Sequence, residues 1–192
     1  LYTHIDDFVE STTMVTPRGV IESRRLPGSG AGPSPDRMVI GSEGILGVIT
    51  EAWMRLQERP KFRASCPVLF DDYEDALNAT RLISQSALFP ANCRLLDANE
   101  ALFNGAGDGS KHLLILSFES ADHDMDAWLK RSLEIASEAG GQYELPEEKK
   151  EDAHKSGASG TWRNSFIRAP YYREASVRRG IIQDTFETSI TW

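Results

Sequence analysis

The stretch Gly41-Ser42-Glu43-Gly44-Ile45-Leu46-Gly47-Val48-Ile49-Thr50-Glu51 constrains this chain more than any other. Three glycines precede an apolar run (Val48, Ile49, Ala52, Met54, Leu56) that reads as a buried strand ending near Arg59-Pro60. Glycine reaches positive φ and leaves no Cβ between its backbone and whatever approaches. At a strand entrance such glycines mark a bulge, or the close approach of a ligand or another chain segment. The pattern predicts a glycine loop feeding a strand. Taken alone, it is met by a plain strand entered through a tight turn. The alternative is a loop whose free amides face an anionic or flat ligand.

The chain has 192 residues, room for one large domain or two small ones. Its hydrophobic fraction of 40% is that of an ordinary globular protein. A formal net charge of -8 argues against a nucleic-acid or anionic-membrane surface, either of which would need a basic patch. Cys66 and Cys93 are too few for a disulfide framework, and both sit in apolar surroundings. They predict two reduced, buried thiols in an intracellular protein rather than a bridge or a metal site. No apolar run has the length of a transmembrane helix, and no signal peptide is visible. His4, His112, His123 and His154 are not spaced for a metal, so no metal is expected. Neither a Ser-His-Asp arrangement nor a phosphate-binding P-loop is present. The first residue is Leu1 rather than an initiator methionine, and we read the chain as a piece of a longer protein.

Phe8 to Thr16 alternates, Pro17-Arg18-Gly19 is a turn, and Val20 to Ser23 is extended again, which predicts a β-hairpin. Leu26 to Pro35 carries glycines, prolines and serines and must be a loop, either a solvated connection or a cofactor-side loop. Asp36 is placed to cap a short helix from Arg37 to Ile40. A composition shift over Lys61 to Pro67 sets a domain boundary there, giving domains 1–60 and 61–192.

Two similar halves follow. Ala64 to Phe70 reads as a strand, and Asp71-Asp72 opens a helix to about Ser86. Cys93 to Leu96 is a strand, and Ala98 to Phe103 a short helix closed by a glycine-rich turn. His112 to Phe118 is then a strand and Asp122 to Ala139 a helix. Met125, Trp128, Leu129, Ser132, Ile135 and Ala136 share one of its faces, and Gly140-Gly141 stops it. Gln142 to Leu145 is the final strand. Strand-helix-strand twice over predicts an antiparallel sheet with two helices on one face, a ferredoxin-like α+β sandwich. Pro146 to Gly160 reads as a solvated loop and Phe166 to Gly180 as a helix.

Gly-Ser-Glu-Gly-x-Leu-Gly-Val-Ile-Thr-Glu, with Ile45 at the variable position, resembles a signature of FAD-linked oxidases of the vanillyl-alcohol oxidase (PCMH) type. The resemblance implies FAD as cofactor. It implies also that the main chain of Gly41, Ser42, Glu43, Gly44, Ile45, Leu46, Gly47, Val48 and Ile49 runs along the flavin. Three more segments resemble one subfamily, the alkylglycerone-phosphate synthases: His4-Ile5-Asp6-Asp7, Val15-Thr16-Pro17-Arg18-Gly19-Val20-Ile21-Glu22 and Gly32-Pro33-Ser34-Pro35-Asp36. So does the end of the chain, Phe186-Glu187-Thr188-Ser189 followed by Trp192. The fold implied is α+β: the C-terminal part of a PCMH-type FAD-binding domain, then an incomplete ferredoxin-like cap domain.

Arg94 stands in the apolar run Cys93-Arg94-Leu95-Leu96-Asp97, and a buried charge there needs a partner. The pattern points to an ion pair with Asp97 or a helix carboxylate. The resemblance, to Arg-Leu-Met-Asp with Leu96 in place of Met, implies an arginine supporting catalysis from the flavin face of the cap. Arg168, in Ser165-Phe166-Ile167-Arg168, resembles an arginine that meets the anionic end of the substrate, because a guanidinium fork matches phosphate or carboxylate bidentately. Arg163, Arg173 and Arg178 are rivals for that role, and a solvated helix arginine is the alternative.

The activity implied is the exchange of acyl for fatty alcohol on acyl-dihydroxyacetone phosphate, a step of ether-lipid synthesis. The substrate would be lipid-like or a small phosphorylated or carboxylated molecule. Peripheral membrane contact and a homodimer are expectations for the full-length protein, in the cytoplasm or in a peroxisome. A 2-hydroxy-acid dehydrogenase or oxidase on the same scaffold is the alternative activity. A non-catalytic regulatory or dimerising module is the alternative of another class. The pyrophosphate-cradling loop would precede Leu1, and the family's catalytic tyrosine and histidines would follow Trp192. The chain alone is therefore expected to bind FAD weakly or not at all and not to turn over.

Overall fold

The structure, a computed structural model, describes residues 4–26, 32–145 and 157–192. It divides into two compact units, Leu1–Arg59 and Pro60–Trp192.

The first unit is a three-stranded antiparallel sheet in the order β2-β1-β3, with β1 Val9–Thr16, β2 Gly19–Glu22 and β3 Val48–Met54. The predicted hairpin is present, with Thr16 opposite Gly19 and the Thr16 hydroxyl donating to the Gly19 carbonyl at 2.8 Å. Helix α1, Pro35–Val39, starts before the predicted Arg37 and is capped by Ser34, whose Oγ accepts from the Arg37 amide at 3.4 Å. Pro35 fits the first helical position because no amide is needed there. Asp36 is thus not the cap. Its Oδ1 accepts instead from the hydroxyls of Thr12 (2.7 Å) and Ser23 (2.6 Å), tying α1 to the hairpin. The strand after the glycines is shorter than predicted and is not buried, since all seven of its residues are exposed. One five-residue helix is the only second layer on this sheet among the described residues, and it covers β1, where Met14 and Val39 are buried together with Ser11 and Thr12.

The second unit carries the main core. Strands β4 Phe62–Phe70, β5 Asn92–Leu96 and β6 His112–Ser120 form an antiparallel sheet in the order β4-β6-β5. Helices α2 Tyr73–Ser84 and α4 Asp126–Glu138 cover one face. Strand alternation sends Cys66, Val68 and Phe70 of β4 and Leu114, Leu116 and Phe118 of β6 to that face. There they meet Ala76, Ala79 and Ile83 of α2 and Leu129, Leu133 and Ala136 of α4. Asp72 caps α2 by accepting from the amides of Glu74 (2.8 Å) and Asp75 (3.1 Å). Helix α4 begins at Asp126 rather than Asp122, because the Ser120 hydroxyl holds the amides of Asp122 (3.1 Å) and His123 (3.2 Å) in a turn. Its end is as predicted. The Gly140 amide donates to the Ser137 carbonyl and the Gly141 amide to Ala136, the paired bonds of a Schellman stop.

The predicted fourth strand is reduced to a single bridge, Leu69 opposite Gln142, with amide–carbonyl bonds of 2.8 Å in both directions. The next bonded pair along this edge would be Pro67 with Glu144, and Pro67 has no N–H to donate. The Glu144 carbonyl lies 3.5 Å from the Cys66 thiol instead. With that bridge, the order is 4-1-3-2 in ferredoxin-like numbering, the α+β sandwich the sequence predicts. Asp71, Lys111 and Gln142 close the same edge: Lys111 reaches Asp71 at 3.0 Å and Gln142 at 2.7 Å. The hydrogen bond and charge of Lys111 hold the Asp71 carboxyl below its ordinary value.

The opposite face of this sheet is partly covered by α3 Ala98–Phe103 and α5 Gly157–Val177, with Leu96, Ala101, Leu113 and Ile115 buried against Ala158 and Trp162. Helix α5 begins nine residues before the predicted Phe166 and replaces the end of the predicted loop. Tertiary contact decides this: Trp162 packs on the cluster, and the Ser165 hydroxyl donates to the Asn104 carbonyl at 3.1 Å. The charged centre of that loop, and the glycines at 28 and 30, lie outside the described residues.

Candidate functional site

In the first unit the glycine stretch forms an open turn between α1 and β3. Gly41, Glu43 and Gly44 take φ of +79°, +50° and +86°. Glu43 is thus held in a left-handed conformation that non-glycine residues rarely adopt. The Ser42 amide donates to Val39 (3.2 Å) and that of Ile45 to Ser42 (3.1 Å), while the Glu43 and Gly44 amides have no acceptor among the described residues. A Cβ at Gly44 would meet open space, whereas one at Gly47 would strike the Val15 carbonyl and the Met14 side chain. The two readings of the glycines therefore divide by position. Gly47 lets β1 approach closely, and Gly41 and Gly44 leave bare backbone with free donors, a surface suited to a flat or anionic group.

In the second unit Arg94 lies on the sheet face away from α2 and α4, opposite Ile115. Arg94 is exposed rather than buried, and the expected ion pair is absent among the described residues. Asp97 caps α3 instead, accepting from the Glu100 amide at 2.8 Å. The Arg94 guanidinium sits 4.2 Å over the Trp162 ring and 5.9 Å from Phe166, and those two rings stack at 5.4 Å. Aromatic faces stabilise the cation and fix its plane while leaving its N–H edge free for a carboxylate or phosphate. Sequence reasoning missed this pairing. The available signal was the i, i+4 spacing of Trp162 and Phe166, which a helix starting at 157 turns to one side.

Arg168 follows on the same helix, exposed, with no ion pair among the described residues. Of its rivals, Arg173 reaches Asp184 at 3.8 Å and Arg178 reaches Glu174 at 2.7 Å. Pro170 within α5 leaves the Phe166 carbonyl, two residues before Arg168, without its helical donor. The Phe186-Glu187-Thr188-Ser189 segment has no regular secondary structure and is exposed, fully so at Phe186.

Cys66 and Cys93 are both free. They flank Leu116 in one row across the sheet, two strand spacings or about 10 Å apart, too far for a disulfide. Burial pushes both thiols up to about 11. Of the histidines, His112 accepts the Ala98 amide through Nδ1 at 3.1 Å, His4 lies 3.3 Å from Asp6, and His123 packs on Trp128. His154 falls outside the described residues. Among the described residues no group of His, Cys and carboxylates could hold a metal, and no helix is long and apolar enough to cross a membrane.

Comparison with known proteins places these groups in a context. The family described as FAD linked oxidases, C-terminal domain, matches residues 59–192. An alkyldihydroxyacetonephosphate synthase of Dictyostelium discoideum is 36% identical over 110 residues, 57% of this chain and 18% of that protein. That of Caenorhabditis elegans is 25% identical over 212 residues, covering 100% of this chain and 35% of its own length. A mitochondrial D-lactate dehydrogenase of Saccharomyces cerevisiae is 31% identical over 51% of this chain and 17% of its own. A solved alkyldihydroxyacetonephosphate synthase superposes with a TM-score of 0.65 at 25% identity, over 92% of this chain and 36% of that one. The chain thus spans about a third or less of the length of each of these relatives.

Proposed function

Because the chain belongs to the FAD linked oxidases through their C-terminal domain, we propose that it is part of an FAD-dependent enzyme of the alkylglycerone-phosphate synthase type. One observation carries the choice of activity. The similarity to the C. elegans synthase runs through 100% of the chain, both units included, while that to the yeast D-lactate dehydrogenase covers 51%. The activity is exchange of the acyl group of acyl-dihydroxyacetone phosphate for a fatty alcohol.

The first unit is the C-terminal part of the FAD-binding domain, and the second the greater part of the cap. The backbone of Gly41 to Ile49 would hold the flavin, with the free Glu43 and Gly44 amides as hydrogen-bond donors to it. Bound there, the flavin supplies an electrophilic, redox-active ring. Arg94, its plane fixed by Trp162 and Phe166, steadies negative charge at the reacting end of the substrate. Arg168 takes the substrate's phosphate. The 2-hydroxy-acid dehydrogenase reading is kept by the 31% identity to the yeast enzyme. It uses the same arginines for a carboxylate.

The test is a flavin-fluorescence titration with FAD of this chain and the full-length protein side by side, followed by product analysis of the latter. Binding by the full-length protein together with an ether-lipid product supports the synthase. Hydride transfer to an electron acceptor instead supports the dehydrogenase, and no flavin binding by either protein removes both. In the full-length protein Arg94→Lys keeps the charge but loses the planar fork, and a fall in kcat with FAD still bound is expected. Unaltered turnover takes Arg94 out of the site.

A further inference from the structure

The face of the second sheet that carries Arg94 changes character one rung beyond it. The register sets Pro67, Ile115 and Arg94 side by side in one row, and Ser65, Ser117 and Asn92 in the next. Ile115 ends the apolar cluster that α3 and α5 cover. Ser65, Ser117 and Asn92 are only half-buried, and no side-chain hydrogen bond is made by any of them among the described residues. Ser117 lies on the opposite face from Leu116 and Phe118, which are buried under α2 and α4. None of the polar side-chain atoms of this row is both buried and unpartnered, so their hydrogen-bonding groups are open to solvent or to a ligand.

The row spans about 10 Å across three strands and lies about 7 Å along the strands from Arg94. It offers two hydroxyls, each both donor and acceptor, and an amide with two donors and an acceptor. Beside it stands a cation whose plane is fixed by aromatic rings and which has no carboxylate partner among the described residues. Such a set matches the oxygen-rich reacting end of an anionic substrate, its developing negative charge on the guanidinium and its neutral carbonyl or hydroxyl oxygens on the row.

We infer that Ser65, Ser117 and Asn92 form a ledge next to Arg94 that reads the neutral oxygens at the reacting end of the substrate and so sets specificity for an oxygen-rich substrate. The inference rests on the proposed function for the substrate's position and adds the residues that read its neutral oxygens. The buried apolar cluster under α3 and α5 bounds the ledge on one side.

The experiment uses full-length, FAD-loaded protein with Ser65→Ala, Ser117→Ala and Asn92→Ala, singly, and dihydroxyacetone phosphate and D-lactate as probes in equilibrium dialysis. Each variant is expected to weaken binding of the preferred probe roughly five- to tenfold, with FAD affinity and thermal midpoint unchanged. Ser117→Val, which keeps the shape of the side chain and removes its hydroxyl, should reproduce Ser117→Ala. Weakened binding of either probe supports the ledge, and the tighter probe identifies the anionic group. Wild-type binding that all the variants leave within twofold overturns the ledge while the proposed function stands. Wild-type protein that holds FAD but binds neither probe overturns both.

Discussion

The two sheets of this chain have the same number of strands and opposite burial. In the first, β3 is exposed along its whole length, and Met14 and Val39 are the buried hydrophobic residues among those described. In the second, the central strand β6 runs buried from Leu113 to Leu116, with α2 and α4 on one face and α3 and α5 on part of the other. Hydrogen-bonded pairing is present in both, so pairing does not separate them. What separates them is the second layer, which removes apolar surface from water and carries most of the stabilisation a sheet can gain. Both candidate sites fit this division. Each lies where the layer stops: the glycine turn on the thin sheet, and the Arg94 ledge at the rim of the covered one.

The contrast can be broken most directly with Leu116→Ala. It removes a fully buried side chain at the centre of the second core and should cost about 2–5 kcal/mol in urea unfolding. A cost below 1 kcal/mol would mean that the core is not the stabilising region. Next comes Gly141→Ala. An added Cβ would lie 2.7 Å from the Ala136 carbonyl oxygen and 2.8 Å from the Phe70 ring, and a loss of about 1–3 kcal/mol is expected. An unchanged midpoint would show that the Schellman stop can shift freely.

The thiols sharpen the comparison, because both lie in the second unit. They ionise at an ordinary value of 9.0 when unfolded and at about 11 when folded. Between these values the unfolded state loses protons first. Native stability is therefore complete below pH 9 and falls as pH rises toward 11. The double variant Cys66→Ala/Cys93→Ala should flatten that fall in urea midpoints measured across the window, and an identical slope would place the thiols in water. The smallest effect belongs to Val48→Ala in the chain as it stands. This side chain is 66% exposed and should change stability by no more than about 0.5 kcal/mol. A loss of 2 kcal/mol or more would mean that β3 is covered in solution.

Much of the second unit was legible because its signals are local. Asp72 and Gly140-Gly141 bracket helices through caps that act within a few residues, and the apolar period of β6 and α4 sets which faces meet. The misreadings share a cause. Asp36 looks like a cap, but Ser34 stands one residue before Pro35 and takes the role, freeing Asp36 for Thr12 and Ser23. The fourth strand has strand-like sequence, but the partner it would pair with offers Pro67. Helix α5 lacks an amphipathic pattern, and its first half is fixed by Trp162 and Ser165 against groups some sixty residues earlier in the chain.

By itself the sequence determined the ferredoxin-like order of the second unit, the hairpin, the glycine turn and the family signature, because these depend on local conformational preference and short motifs. Only the tertiary structure decided what Arg94 meets. An arginine in an apolar run reads as a buried charge that needs a partner, and the sequence supplied a carboxylate three residues away, but the fold leaves Arg94 exposed. That carboxylate is closer in the chain, yet α3 claims it for its own amides, and the guanidinium turns to two aromatic rings that only the packing of α5 brings within reach.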